Sequence, residues 1–243
     1  MTTTRGPRLT MLGALLAAAT ALGGCTAFDG LIPTSPTTAA ASRPTTTAPT
    51  AVPSPTEALA LLDTLPIKGR APRTGYSSDY AFWDMWGDPD GNGCDARNDV
   101  LARDLVDVVR RHDVLTGDCL VASGTLHDPY TDKTVAFVRG AGEDHDGGVQ
   151  VDHVVARSDA WQKGAAGWTL GQRETFANDP LNLLAVDAAQ NQAKGDGDAA
   201  TWLPPDRGFR CRYVSTQVAV KARYGLWTTQ AEHDAIKNVL DHC

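Results

Sequence analysis

Apolar positions recur at helical spacing in two early segments. Residues 57–65, EALALLDTL, place leucine and alanine three and four apart and are stopped by Pro66. Residues 96–112, ARNDVLARDLVDVVRRH, set Val100, Leu101, Leu105, Val108 and Val109 along one face, and Asp95 stands where it can cap the first turn. One long helix is predicted there. Strand patterns follow. LVASGTLHDPYTDKTVAFV, residues 120–138, predicts a β-hairpin around the DPYTDK turn. VQVDHVV (149–155) and LNLLAV (181–186) predict two further strands, with SDAWQKGA between them as a short helix capped by Ser158. DAAQNQAKG predicts a helix that Asp187 caps and Gly195 stops. STQVAVKARYGL reads equally as helix or strand, and TQAEHDAIKNVLDHC predicts a closing helix with a capping box from Thr229 to Glu232. This mixed order predicts an α+β domain rather than a wound parallel sheet.

The N-terminus bounds where that domain works. The first thirty residues combine Arg5 and Arg8, an apolar run from Met11 to about Leu22, and then LGGC. This is the pattern of a secretory signal peptide, residues 1–24, whose apolar core falls short of the roughly 20 residues that a bilayer span needs. LGGC resembles the bacterial lipobox, which implies that Cys25 carries a lipid anchor. The expected location is therefore the outer face of the cell membrane, held there by lipid alone, or the medium if cleavage falls further on. Residues 25–56 are rich in Pro, Thr, Ala and Ser and hold almost no large apolar residue, so a disordered tether is expected. Residues 57–243 are long enough for one well-filled domain, expected to be a monomer.

Five cysteines occur, and with Cys25 set aside Cys94, Cys119, Cys211 and Cys243 remain. In an exported chain an even number favours disulfides, and four cysteines allow three pairings. Cys94 with Cys119 and Cys211 with Cys243 are preferred, because each pair would clamp the ends of one predicted helical segment. No CxxC or paired Cys/His spacing supports zinc. The net charge of −7 is unevenly spread: residues 57–150 hold 9 Lys/Arg against 17 Asp/Glu, and residues 151–243 hold 10 against 11. There is no basic stripe of the kind that tight nucleic-acid binding shows, so any such substrate must be held by a few placed cations and a metal.

Candidate chemistry gathers in VDHVV, LNLLAV and DAAQNQAKGD, which read as strand, strand, helix. Asp152 and Asn191 could offer oxygens to a hydrated divalent cation such as Mg²⁺. His153 could take the proton of an attacking water. Side chains alternate along a regular strand, so the strand is expected to bend or end at the Asp-His pair. VDHVV…PLNLLAV…NQAKGD resembles the HNH endonuclease signature in its Asp-His/Asn/Asn form, that of the ββα-metal (His-Me finger) nucleases. With GCDARNDVLARDL upstream and CRY…VAVKARYGL downstream, residues 70–243 are similar to exported HNH-family proteins and to the C-terminal nuclease domain of the GmrSD restriction enzymes. The resemblance implies a ββα-metal core within a disulfide-stabilised mixed domain. It also implies a Mg²⁺- or Mn²⁺-dependent endonuclease, with DNA preferred to RNA as substrate. Asp152 and Asn191 match the metal ligands, His153 the general base, and Asn182 the residue that steadies the base-bearing loop. Lys194 matches a phosphate-contacting position, and Arg173 is a second candidate for that contact.

A second cluster, WGDPDGNGCDARND, places Asp88, Asp90, Asn92 and Asp99 at the spacing of an EF-hand calcium loop. Asp99 stands where a bidentate Glu is usual, and a Gly/Asn/Asp turn ahead of the following helix is the preferred reading. The rival to a nuclease is accordingly a non-catalytic cell-surface binding module, loaded with calcium through this loop.

Overall fold

In the computed structural model of the protein, residues 51–77, 86–114, 117–142 and 147–243 are described. The expected leader, the anchor Cys25 and the tether up to residue 50 lie outside the described residues. The domain starts slightly earlier than expected. Helix α1 (Pro55–Leu62) begins inside the supposed tether, because Ser54 and Glu57 form a capping box and Pro55 suits the first turn.

Helix α2 (Ala96–Asp104) starts as expected, with the Asp95 carboxylate accepting the Asn98 amide, but it stops at Asp104. The next residues form strand β1 (Leu105–Asp113), antiparallel to β2 (Gly117–Asp128). The single helix expected over 96–112 is thus corrected to a helix followed by a strand. Val100, Leu101 and Leu105 are buried, whereas Val106 and Val109 remain exposed, so the apolar face has no helical partner beyond Leu105. β-Branched Val106, Val108 and Val109 then favour the extended state. Asp107 takes a left-handed φ of 52°, and the strand register slips between Val106 and Val109.

The DPYTDK turn is formed where expected: Asp128 lies opposite Lys133, and β3 (Lys133–Val138) completes a sheet ordered β1-β2-β3. Strand β4 (Val149–His153) pairs antiparallel with β5 (Leu183–Asp187) as a separate two-stranded sheet. Gly147, at φ 73°, leads into β4 so close to β3 that a Cβ there would collide with the Val138 carbonyl oxygen. Between β4 and β5 lie α3 (Arg157–Gln162), a short 3₁₀ turn and α4 (Leu170–Ala177). Helix α4 was not anticipated, although Thr169 and Gln172 form its capping box. Ser158 does not cap α3; it lies inside the helix and its hydroxyl donates to Asp196. Helix α5 (Ala188–Lys194) follows β5 with no intervening loop, capped by Asp187 and ended by Gly195 at φ 54°. Helices α6 (Arg210–Tyr224) and α7 (Gln230–Leu240) close the chain, the latter with its expected capping box.

Both expected disulfides are present, with Cα separations of 5.3 Å for Cys94–Cys119 and 5.9 Å for Cys211–Cys243. What they clamp differs from expectation. The first ties the loop before α2 to β2, across a helix and a strand. The second ties the start of α6 to the chain after α7, closing a two-helix hairpin.

The β4–β5 pair is wedged between two apolar clusters. Val149, Leu183 and Ala185 pack with Leu101, Leu105, Val121 and Phe137 on the α2 side. Val154 and Val186 pack with Tyr130, Tyr213, Val218 and Ile236 on the other. Each fully buried Val, Leu or Phe contributes about 1.5–3 kcal/mol, so the strands are fixed in place well before their polar end is considered.

Candidate active site

Strand β4 stays regular through its last two residues, with Asp152 opposite Leu184 and His153 opposite Leu183. Alternation therefore sends the two side chains to different neighbours, and the chain bends only after them. That bend is fully specified by hydrogen bonds. The Val154 amide donates to the Asn182 carbonyl, the Val155 amide donates to Asn182 Oδ1, and Asn182 Nδ2 donates to the Val155 carbonyl. Asn182 is itself completely buried. From α6, Gln217 Nε2 donates to the Val154 carbonyl at 3.3 Å.

Asp152 is 5% exposed, and both of its oxygens accept hydrogen bonds. Tyr130 donates to Oδ2 at 2.5 Å and Lys194 to Oδ1 at 2.9 Å. Tyr130 is fully buried, and that burial, with the Asp152 charge beside it, pushes its phenol well above the usual range. At neutral pH it is a hydrogen-bond donor to Asp152.

The His153 ring lies nearly parallel to Trp86 and Phe176, at centroid distances of 5.9 and 6.4 Å. The Gly87 amide donates to Asn178 Oδ1 at the end of α4, which holds the Trp86 segment beside the ring. His153 Nε2 lies 2.8 Å from the Ala177 carbonyl. A carbonyl can only accept, so Nε2 carries the proton and Nδ1 carries the lone pair. Burial first, and then the Arg157 cation, pull the imidazole down to about 3. The ring is neutral at ordinary pH, and among the described residues Nδ1 has no hydrogen-bond partner.

Asp152 and His153 share a cleft of about 350 Å³ with Arg73, Tyr76, Arg157, Ser158 and Asp196. Arg73 reaches Asp196 at only 3.7 Å. Asn191, in α5, donates through Nδ2 to Gln150 Oε1 at 2.8 Å, and so stands over the same strand as Asp152, two residues back along it. Neither of the two cations expected at phosphate is among the residues that line this cleft. Lys194 is 3% exposed and bonded to Asp152 Oδ1 and the His153 carbonyl, and the Arg173 guanidinium lies 5.3 Å over the Trp161 ring. Arg157 and Arg73 are the arginines that line the cleft. Arg157 follows four residues after His153 in DHVVAR, a signal that was open to sequence reading. Tyr130 and Trp86 come from distant segments, and nothing local marks them. A larger cavity of about 560 Å³, lined by Val154, Leu181, Leu184 and Arg212, contains neither Asp152 nor His153.

The calcium-loop residues form a closed turn. Asp88 accepts the amides of Gly91, Asn92 and Gly93. Asn92 turns its Nδ2 toward Asp90 and Asp99, a donor where a cation needs an oxygen. Burial and the neighbouring acids Asp90, Asp88 and Asp95 raise Asp99, while its bond from Asn92 opposes them. Among the described residues no group of three or more His, Cys, Asp or Glu is arranged to hold a metal ion.

The chain is 38% identical over 197 residues to an uncharacterized secreted protein of Arthroderma benhamiae (strain ATCC MYA-4681 / CBS 112371), covering 80% of this chain and 89% of that protein. No solved structure matches. The family model that describes the C-terminal domain of GmrSD restriction endonucleases matches residues 95–239, a span that takes in Asp152, His153, Asn182, Asn191 and strands β4 and β5, and the chain belongs to that family.

Proposed function

We propose that this protein is an exported, HNH-type endonuclease that hydrolyses phosphodiester bonds in nucleic acid, DNA in preference to RNA, with β4, β5 and α5 as its ββα-metal core. The observation that carries this reading is the state of His153. A neutral imidazole, oriented through Nε2 by a backbone carbonyl, keeps its Nδ1 lone pair, and the residue lines a cleft with a buried carboxylate and an arginine. A structural histidine has no need of that open nitrogen. Family membership supports the same reading.

In this mechanism His153 Nδ1 removes the proton of the attacking water, while the Nε2–H bond to Ala177 prevents the ring from turning or changing tautomer. Its low intrinsic basicity rises when a phosphate anion enters, because a nearby negative charge favours the protonated ring. Asn182 fixes the loop that follows the base. Arg157 and Arg73 orient the phosphate, the part first expected of Lys194 and Arg173. Asp152 and Asn191 fit a hard divalent cation by their chemistry: a carboxylate with two bonded oxygens keeps further lone pairs, and Asn191, engaged through Nδ2, offers its amide oxygen. Mg²⁺ or Mn²⁺ bound there would stabilise charge developing on the phosphate and the leaving oxygen. Export is supported by the two disulfides and by the secreted relative. Anchoring through lipid on Cys25 and a monomeric state belong to the same proposal.

Incubating the purified domain with plasmid and Mn²⁺ or Mg²⁺ tests it. Cleavage should stop with chelator, and His153→Ala should lower the rate by about 10²- to 10⁴-fold while leaving the thermal melt cooperative. A His153→Ala protein that cleaves at the wild-type rate, or a wild type inert under all these conditions, would overturn the proposal.

A further inference from the structure

The arrangement around Lys194 deepens the proposed function and rests on it. Lys194 is 3% exposed, and its ammonium is held at two points, 2.9 Å from Asp152 Oδ1 and 2.8 Å from the His153 carbonyl. Tyr130 fixes the other Asp152 oxygen, so the carboxylate cannot rotate away from the ammonium. Asn191 lies three residues before Lys194 on α5, on the same side of the helix. Both residues reach β4, Asn191 through Gln150 and Lys194 through Asp152 and His153.

We infer that Lys194 is a built-in counter-ion which weakens divalent-cation binding in the absence of substrate, rather than a phosphate contact. Its charge cancels that of Asp152, and its burial keeps it from swinging toward a phosphate without breaking two hydrogen bonds. Like charges a few ångströms apart repel strongly where little water screens them. The resting site therefore holds a divalent cation loosely, and an incoming phosphate supplies the negative charge that the protein withholds.

Mn²⁺ binding without nucleic acid, followed by loss of the free-ion EPR signal, separates the two roles. Lys194→Gln keeps a donor for the His153 carbonyl and removes the charge, Lys194→Met removes both, and Lys194→Arg keeps the charge. The neutral variants should bind Mn²⁺ at least about tenfold more tightly than wild type, and Lys194→Arg should match wild type. Neutral variants that bind no more tightly than wild type, with melts intact, would overturn the inference. Should Lys194→Met fail to fold, the comparison of Gln with Arg decides the matter. Asp152→Asn serves a different purpose. If it binds Mn²⁺ as well as wild type does, the cation is not at Asp152, and the metal assignment of the proposed function fails whatever Lys194 does.

Discussion

Lys163 and Lys221 are buried as deeply as Lys194, yet they meet carboxylates in a different way. Lys163 contacts Asp159, Asp198 and Glu232 at 2.6–2.8 Å, and Lys221 bridges Asp159 and Glu232 at 3.1 and 2.9 Å. Arg70 adds contacts of 2.9 and 2.8 Å to Asp159 and Asp198. Three cations face three carboxylates. Against the cost of burial, Lys163 and Arg70 hold Asp198 down to about 2, and Asp159 and Glu232 hold Lys221 above its usual range. At the cleft, by contrast, one ammonium and one phenol face one carboxylate, and the adjacent residue is a neutral imidazole bonded through Nε2 to a carbonyl. The first cluster joins Arg70 to α3, α6, α7 and the loop after α5, and each of its carboxylates contacts at least two of the three cations. Burial of a charge pair therefore does not by itself mark a functional site.

The contrast breaks most readily at Lys163. Lys163→Met leaves three carboxylates with too little positive charge, and removing one partner of a buried ion pair costs about 3–5 kcal/mol. The melting temperature should fall by about 6–20 °C, at roughly 2–4 °C per kcal/mol for a domain of this size. Cleavage measured below the melt should survive. If Lys163→Met instead abolished cleavage in a folded protein, the two clusters would not be separable.

A smaller effect is expected from the Cys211–Cys243 disulfide, which fastens the two helices that carry Lys221 and Glu232. Replacing both cysteines by alanine should cost about 2–4 kcal/mol in a denaturant titration. Tyr213 and Gln217, on α6, should stay against Tyr130 and Val154, so the rate per folded molecule should change little. A large loss of rate at full folding would show that the helix pair sets the cleft.

Acid should distinguish the clusters most finely. In the unfolded chain an imidazole binds its proton near pH 6.5, whereas folded His153 does so only near about 3. Between those values the unfolded state holds the extra proton, so this contribution to stability is complete above 6.5 and is lost as pH falls toward 3. The slope from one group is at most about 1.4 kcal/mol per pH unit. Chemical denaturation at several pH values should therefore give wild type a steeper acid loss than His153→Gln. Equal slopes would mean that the folded ring is not held neutral.

Local physics made much of this protein readable from its sequence. Capping at Asp95, Asp187 and Thr229, the DPYTDK turn and the order of β4, β5 and α5 each depend on residues within a few positions of one another. The preferred pairing of the cysteines is the one observed, although the single helices that it was expected to clamp are not what the bonds span. Where local signals conflicted, tertiary context prevailed. The apolar stripe of 96–112 fits a helix by period, but only its first half finds a core, and the β-branched remainder pairs with β2 instead.

The identities of Asp152, His153, Asn182 and Asn191 were set by the sequence, because the order of residues along two strands and a helix is one-dimensional information. Their environments were not. That Lys194 points inward to Asp152, that Tyr130 arrives from a hairpin turn 22 residues earlier, and that Ala177 selects the His153 tautomer are decided by which segments pack together. Burial, electric field and hydrogen-bond partners are properties of the assembled interior, and no short stretch of sequence carries them.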